Sequence, residues 1–422
     1  MKHRWKLFTA LITVTLFTFT IIIAAFPVFP KTVLYLRRYQ HKYRAAAKLL
    51  EPLYQLTAIF MPDKLPTYSL TVSASDVQTL LRALPSNPAE KLTPDHKLKV
   101  STKLFYSGQQ ITGQIAVRGE LAANWWYPKK SFKLTLDQPL SLGNTAFNFI
   151  LPEERGYIDE AASLILGREM NLVVPQFHYA WLNINGQNQG VYFVVEDFTP
   201  EFLSRLDLGP ALTLYAENQF DLTASLYSLQ GRWKILATTT QPTLEPIDQL
   251  KQVYALKDDQ QFFDQIAQIF DMEPLLSWNA LSVILGDKHQ EDFHNNRLLF
   301  NHQTGKSLFI PNDVQISLPP AIDFDSQYAT DNSLVIRILK NPLWLEMRNQ
   351  IILDTINSGK VNQLISELKL LEQALRPAIF ADTRKYSATF TYIWDIRYKL
   401  DFLTKNLSYL QQELSAHPNS LL

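Results

Sequence analysis

Apolar and polar positions fall into distinct regimes along the chain. From Leu7 to Pro30 no residue is charged, and Phe, Leu, Ile, Val, Ala and Thr fill the span. About twenty such residues cross a bilayer as a helix, which predicts an N-terminal transmembrane anchor. The alternative is a cleaved signal peptide, but the apolar core is long for one and "IIIAAFPVFP" is a poor small-residue cleavage site. Residues 31–61 read as a basic, aromatic-dotted helix that either lies against anionic headgroups or forms a plain stalk. Near Tyr68 the period shortens to two. "YSLTVSA" predicts a strand, and "SASDVQTLLRAL" a helix capped by Ser or Asp. "HKLKVSTKLFY" and "QITGQIAVRG" predict strands joined by "SGQQ". "KSFKLTL" alternates strictly at Phe132, Leu134 and Leu136. "GYIDEAASLILGREMNL" has helical spacing, ended by Asn171 and then Pro175. "FHYAWLNI" and "GVYFVVE" flank Asn-Gly, the strongest short hairpin signal.

After an acidic connector the pattern turns helical: "EPIDQLKQVYAL", "DQQFFDQIAQIF" and "EPLLSWNALSVILG" are amphipathic or buried helices. A short hairpin, "RLLF" and "SLFIP", ends at Asp313. Beyond Asp331 three long apolar stripes predict helices only, the last of which can alternatively bind a partner. This order predicts an α+β fold and resembles a protein kinase: a β-rich small lobe with one helix, then a helical large lobe. The expected divisions are 1–30 for the basic start and anchor, 31–67 for the juxtamembrane stretch, 68–198 for the small lobe and hinge, and 199–422 for the large lobe.

Composition narrows the partners. Residues 1–50 hold nine Lys/Arg and no acid, so the remainder of this 422-residue chain carries 31 basic against 40 acidic groups. A mildly acidic body argues against nucleic acid. With no Cys, disulfides and thiolate chemistry are excluded. Lys2, Arg4 and Lys6 precede the anchor while Lys31, Arg37, Arg38 and Lys42 follow it, so the positive-inside rule assigns no orientation.

The stretch Gly286–Asp313, "GDKHQEDFHNNRLLFNHQTGKSLFIPND", gathers acids, His and Asn between two apolar runs. It is either a polar loop ahead of a hairpin or an active-site loop. His289, His294 and His302 lack an H-E-x-x-H pattern, and their spacing suits a loop better than a zinc-binding helix face. No G-x-G-x-x-G is present either: Gly108, Gly113 and Gly119 lie too far apart.

Three ordered motifs decide for the active-site loop. "VRGELAANWWYPKKSFKLTL", "NLVVPQFHYAWLNINGQNQGVYFVVEDFTPEFL" and "HQEDFHNNRLLFNHQTGKSLFIPND" are similar to hallmarks of the CotH family, the spore-coat-type atypical kinases, in a divergent bacterial form. The resemblance covers roughly residues 95–350. It implies ATP with Mg²⁺ or Mn²⁺, and transfer of a phosphoryl group to a hydroxyl of a protein or envelope polymer. It also implies a body outside the cytoplasm, held to membrane lipid by the N-terminal helix.

Phosphoryl transfer needs cations on the phosphates, metal ligands and an acceptor for the nucleophile's proton. Lys130 and Lys133 head the third strand on opposite faces. Lys130 shares the face of Phe132 and is the favoured phosphate ligand, a solvated strand end being the plainer alternative. By resemblance Glu169 would hold that Lys, or else be a surface acid beside Arg168. Arg118 would bind phosphate or brace its strand, and Glu196 and Phe198, with Asp197, would form the hinge beside adenine. Asp292 would be the base, or Glu291 beside it; Asn296 and Asp313 would ligate the metal, and His294 would bond the loop backbone. The chain departs from the family at "RGELAANWW" and at "NDVQ", where Gln315 stands in place of a second acid; Asp323 or Asp325 is the candidate replacement. That departure favours a second reading, a weakly catalytic scaffold of the envelope. A third is a kinase-fold enzyme acting on a glycan or other polymer.

Overall fold

The computed structural model describes residues 50–140, 143–218, 224–316 and 330–416. The expected anchor, and Asp323 and Asp325, lie outside these residues. Among the described residues no helix is long and apolar enough to cross a membrane.

The first half closes on itself. Strands β1 (Thr67–Thr71), β2 (Val100–Tyr106), β3 (Gln109–Val117), β4 (Phe132–Leu136), β5 (Ala146–Ile150), β6 (Phe177–Ile184) and β7 (Gln187–Glu196) form a barrel in the order β1-β2-β3-β4-β5-β7-β6. Only the β1–β6 closure is parallel. The β6–β7 turn is the Asn-Gly pair foreseen above. Asn185 and Gly186 take φ of 53° and 75°, the left-handed pair that matches the twist of the flanking strands. Phe132, Leu134 and Leu136 point inward, with Phe149, Ala180, Tyr192 and Val194, to fill the barrel. β5 was not foreseen: "AFNFI" is buried at every position, so it shows no alternation.

Helix α1 (Glu51–Ala58) precedes the barrel. Helix α2 (Ala74–Arg82) opens on Ser73, whose hydroxyl accepts from the backbone N–H of Asp76 at 3.1 Å. Helix α3 (Asp159–Glu169) lies between β5 and β6 and is buried along nearly its whole length.

The second half differs from the helical lobe expected. After the one-turn α4 (Pro200–Ser204) come β8 (Leu212–Glu217) and β9 (Trp233–Thr238). They pair with the predicted hairpin β10 (Arg297–Asn301) and β11 (Lys306–Phe309) in a four-stranded sheet, β11-β10-β8-β9. β8 escaped notice for the same reason as β5, being buried on both faces. The helices are α5 (Glu245–Tyr254), α6 (Asp259–Ile269), α7 (Met272–Leu285), α8 (Ser333–Ile338), α9 (Pro342–Asn357), α10 (Lys360–Ala381) and α11 (Thr389–Ala416). α7 is apolar all round and runs through the main core. α7 and α10 both pack on α3. The helix inserted between β5 and β6 is therefore fixed to the helical body, and the β-rich and helical parts form the α+β, two-part arrangement expected.

Candidate active site

Charged groups collect where the barrel meets the loop after α7. Lys133, on the outward face of β4, forms an ion pair with Asp197, which also accepts from Asn148 Nδ2 at 2.8 Å. Between β5 and α3, "PEER" makes one tight turn that presents Arg155. Its guanidinium pairs with Glu160 in the first turn of α3 at 2.6 Å and with Asp313. Asp313 adopts a left-handed backbone, φ 55°, and its carbonyl lies 2.8 Å from His289 Nδ1. On the sheet side Arg297 pairs with Glu217 at 2.7 Å.

Arg118 stands among these groups without sharing in their pairing. It sits just past β3, half-buried, and feels Arg155 and Arg297 as well as Asp197 and Glu160. Its side chain makes no hydrogen bond or ion pair among the described residues. Burial first, and then the charge of Arg155, push its guanidinium down to about 10. Lys97 is held below its usual range as well. Burial is the main cause, with Arg118, Lys234 and Lys133 adding repulsion against the pull of Glu120. Cations crowded this closely, one of them unpaired, favour an anion between them.

The loop 287–296 is knotted by Asn296. Fully buried, it accepts at Oδ1 from Tyr227 Oη at 2.8 Å and donates from Nδ2 to the carbonyls of Glu291 and His294. Asn332 Nδ2 donates to the same Oδ1 at 3.3 Å. Asn296 thus spends its amide on the loop, which leaves its oxygen no open position for a metal. Asp292 accepts at Oδ1 from the first N–H of α8, Ser333, at 2.6 Å; its other carboxylate oxygen makes no hydrogen bond among the described residues. Glu291 is drawn to His294 at 3.1 Å, and burial, then Asp331 and Asp292, raise its pKa. Burial holds His289 and His294 down at about 4, so both are neutral at ordinary pH. His302 lies apart, on the sheet beside Thr213.

Other expected residues fall elsewhere. Lys130 turns its Nζ to the carbonyls of Trp125 and Tyr127, each at 2.9 Å, on the face it shares with the barrel-filling Phe132. Lys133, on the opposite face, is the lysine that reaches the charged cluster. Glu169 ends α3 without an ion pair among the described residues. Glu160, at the other end of that helix, is the acid that joins the cluster. At the hinge, Glu196 is bound by Arg205, and Phe198 packs edge-on against Phe202 at 5.2 Å. Gln315 is exposed. Arg155 was missed because nothing in a local pattern marks a turn that reaches across to Asp313.

One buried acid lies directly behind the loop. Asp287 is 3 % exposed; its Oδ1 accepts from the backbone N–H of His289 and Gln315, while Oδ2 has no partner among the described residues. Burial raises its pKa to about 7, the two backbone hydrogen bonds acting against it. The folded state then holds a proton that the unfolded state has lost between pH 4 and 7. Stability should fall as pH rises through that window and level off above it. Asp287→Asn keeps both accepted bonds and should flatten the fall. Urea denaturation at pH 4.5 and 7.5 checks this; an unchanged slope would place the titration elsewhere.

Phosphate oxygens fit this cluster, with Arg118, Lys133 and Arg155 as the groups that would meet them. A divalent ion would have Asp313 as its carboxylate, shared with Arg155, and would take further ligands from phosphate and water, the usual manner of Mg²⁺. Among the described residues no group of three or more His, Asp or Glu is placed to hold a metal alone.

The family model described as CotH kinase protein matches residues 115–410. Inner spore coat protein H of Bacillus subtilis (strain 168) is 19% identical over 371 residues, spanning 84% of this chain and 98% of that protein. The matched region runs from β3 through the charged cluster into α11, and on that basis the chain belongs to the CotH family of kinase-related proteins.

Proposed function

We propose that the protein is a membrane-anchored phosphotransferase that moves the γ-phosphate of ATP to a hydroxyl, in the first instance of a protein Ser or Thr. The observation that carries this reading is the unpaired Arg118 guanidinium among the ion pairs that link barrel, α3 and catalytic loop. A nucleotide's phosphates would supply the anion this cluster lacks. Lys133 and Arg155 would then share their present carboxylate partners with phosphate. Asp313 would hold Mg²⁺ or Mn²⁺, whose charge neutralises the phosphates during transfer. Asp292 would orient the acceptor hydroxyl and take its proton.

A second reading rests on a specific arrangement. Asp313 is already paired with Arg155, Asn296 is used up within the loop, and an exposed Gln315 stands where the family has an acid. These favour a binding module that takes nucleotide and turns it over poorly, acting as an envelope scaffold. Incubating the full-length chain in nanodiscs with ATP and Mn²⁺ separates the two. ADP formation that disappears in Asp313→Ala supports the enzyme, whereas nucleotide binding without ADP supports the scaffold. Absence of both overturns the nucleotide reading.

Arg118→Ala should abolish the thermal stabilisation that ATP with Mn²⁺ confers, roughly 3 kcal/mol at a hundredfold excess over the dissociation constant. Lys130→Ala, which alters a strand-end contact, should leave that stabilisation intact. The reverse order of effects would return the phosphate role to Lys130.

A further inference from the structure

Helix α1 has two apolar faces and uses only one. Inward, Ala58 is buried and Tyr54 meets Phe380 of α10 edge-on at 5.1 Å. Outward, Leu53, Leu56, Ile59 and Phe60 are 54, 55, 74 and 82 % exposed, four large side chains on one side of the helix and the residues that continue it. Scattered exposed Leu needs no explanation, but a continuous apolar stripe does.

The inward side is tied to the body by more than packing. Glu51 accepts from the backbone N–H of Thr389 at 2.6 Å and from its hydroxyl at 2.8 Å, and pairs with Lys385 at 2.8 Å. Lys385 donates to the carbonyl of Asp382, whose carboxylate holds the buried Lys129 at 2.8 Å and the backbone N–H of Val191 at 2.9 Å. Lys129 stands three residues before β4. The helix therefore keeps a fixed orientation relative to the strand that carries Lys133.

The sequence ahead of α1 says what the outer stripe meets. Lys31, Arg37, Arg38, Lys42, Arg44 and Lys48 fall between the uncharged span and the helix, with no acid among residues 31–50. Such a basic run is complementary to anionic headgroups, which attract each cation held near that surface. An apolar stripe immediately after it matches the interfacial zone where amphipathic helices lie. We propose that the outer face of α1, Leu53, Leu56, Ile59 and Phe60, rests in the surface of an anionic bilayer and so sets the orientation of the catalytic body on the membrane. This rests on the membrane-anchored reading above.

The chain has no Cys, so single probes are readily placed. Leu56→Cys, Phe60→Cys and, as control, Leu229→Cys (61 % exposed, beside β9) would each carry an environment-sensitive fluorophore in the full-length chain. Vesicles of phosphatidylglycerol with a quencher on the acyl chains are the probe surface, and flotation reports the anchor separately. The expected result is flotation of all three, with a blue shift and loss of fluorescence at 56 and 60 and neither at 229. Flotation with unshifted, unquenched probes at 56 and 60 overturns the seating of α1 while leaving the anchor. A blue shift without quenching overturns it too, since protein, either residues 31–49 or a second copy, then covers the stripe. Failure to float overturns anchor and seating together and leaves nucleotide binding to be judged on its own assay.

Discussion

Asp292→Asn should lower phosphotransfer by ~10²–10⁴, the range typical of a general acid–base group, while leaving nucleotide affinity unchanged. The substitution suits the site because an Asn oxygen still accepts from the Ser333 N–H that Asp292 Oδ1 holds at 2.6 Å. That bond to the start of α8 survives, and only the ability to take a proton is lost. Glu291→Gln should cost far less, since Glu291 is engaged by His294. Comparing kcat with the nucleotide dissociation constant for both variants decides the matter. A normal kcat in Asp292→Asn beside a collapsed one in Glu291→Gln would move the base one residue back.

Asp382→Ala should destabilise the fold by about 3–5 kcal/mol, as breaking a buried ion pair from one side does. Lys129 is 1 % exposed, and Asp382 is its closest acid, at 2.8 Å, against 3.7 Å for Glu153. Removing that carboxylate leaves a buried ammonium with only the more distant Glu153 and also releases the N–H groups of Val191 and Arg384. A double replacement, Lys129→Met with Asp382→Ala, should recover part of the loss, because the buried ammonium is gone and Glu153, whose pKa burial already raises, can take up a proton. Denaturant melts of the two variants check this, and equal destabilisation by single and double changes would contradict it.

These two cases show what the sequence made legible and what it hid. Local signals served well. The Asn-Gly turn at 185–186, the strict alternation of Phe132, Leu134 and Leu136, and the largely apolar α7 each identified its element from neighbouring residues alone. β5 and β8 were lost because a strand buried on both faces has no period to read, and without β8 the expected hairpin of the second half stood alone among helices. In the site, the loop from Glu291 to Asp313 was visible as a cluster of polar residues in one stretch. Individual roles were harder. Asn296 looks like a ligand by type, and only its buried position shows that the loop consumes it. Lys130 falls two residues ahead of β4 and turns to the carbonyls of Trp125 and Tyr127, whereas Lys133 stands on the strand's outward face, and only the folded barrel separates them. Lys129 and Asp382 are separated by 253 residues, and no local pattern foretells such a pair.

Nucleotide binding should rest most on Arg118 and its neighbours. Equilibrium titration of ATP into the full-length chain in nanodiscs, with Mn²⁺ present, tests that role directly in wild type, Arg118→Ala and Lys130→Ala. Saturable binding in wild type and Lys130→Ala, lost in Arg118→Ala, is the predicted result. Absence of binding in wild type, or undiminished binding in Arg118→Ala, would contradict it.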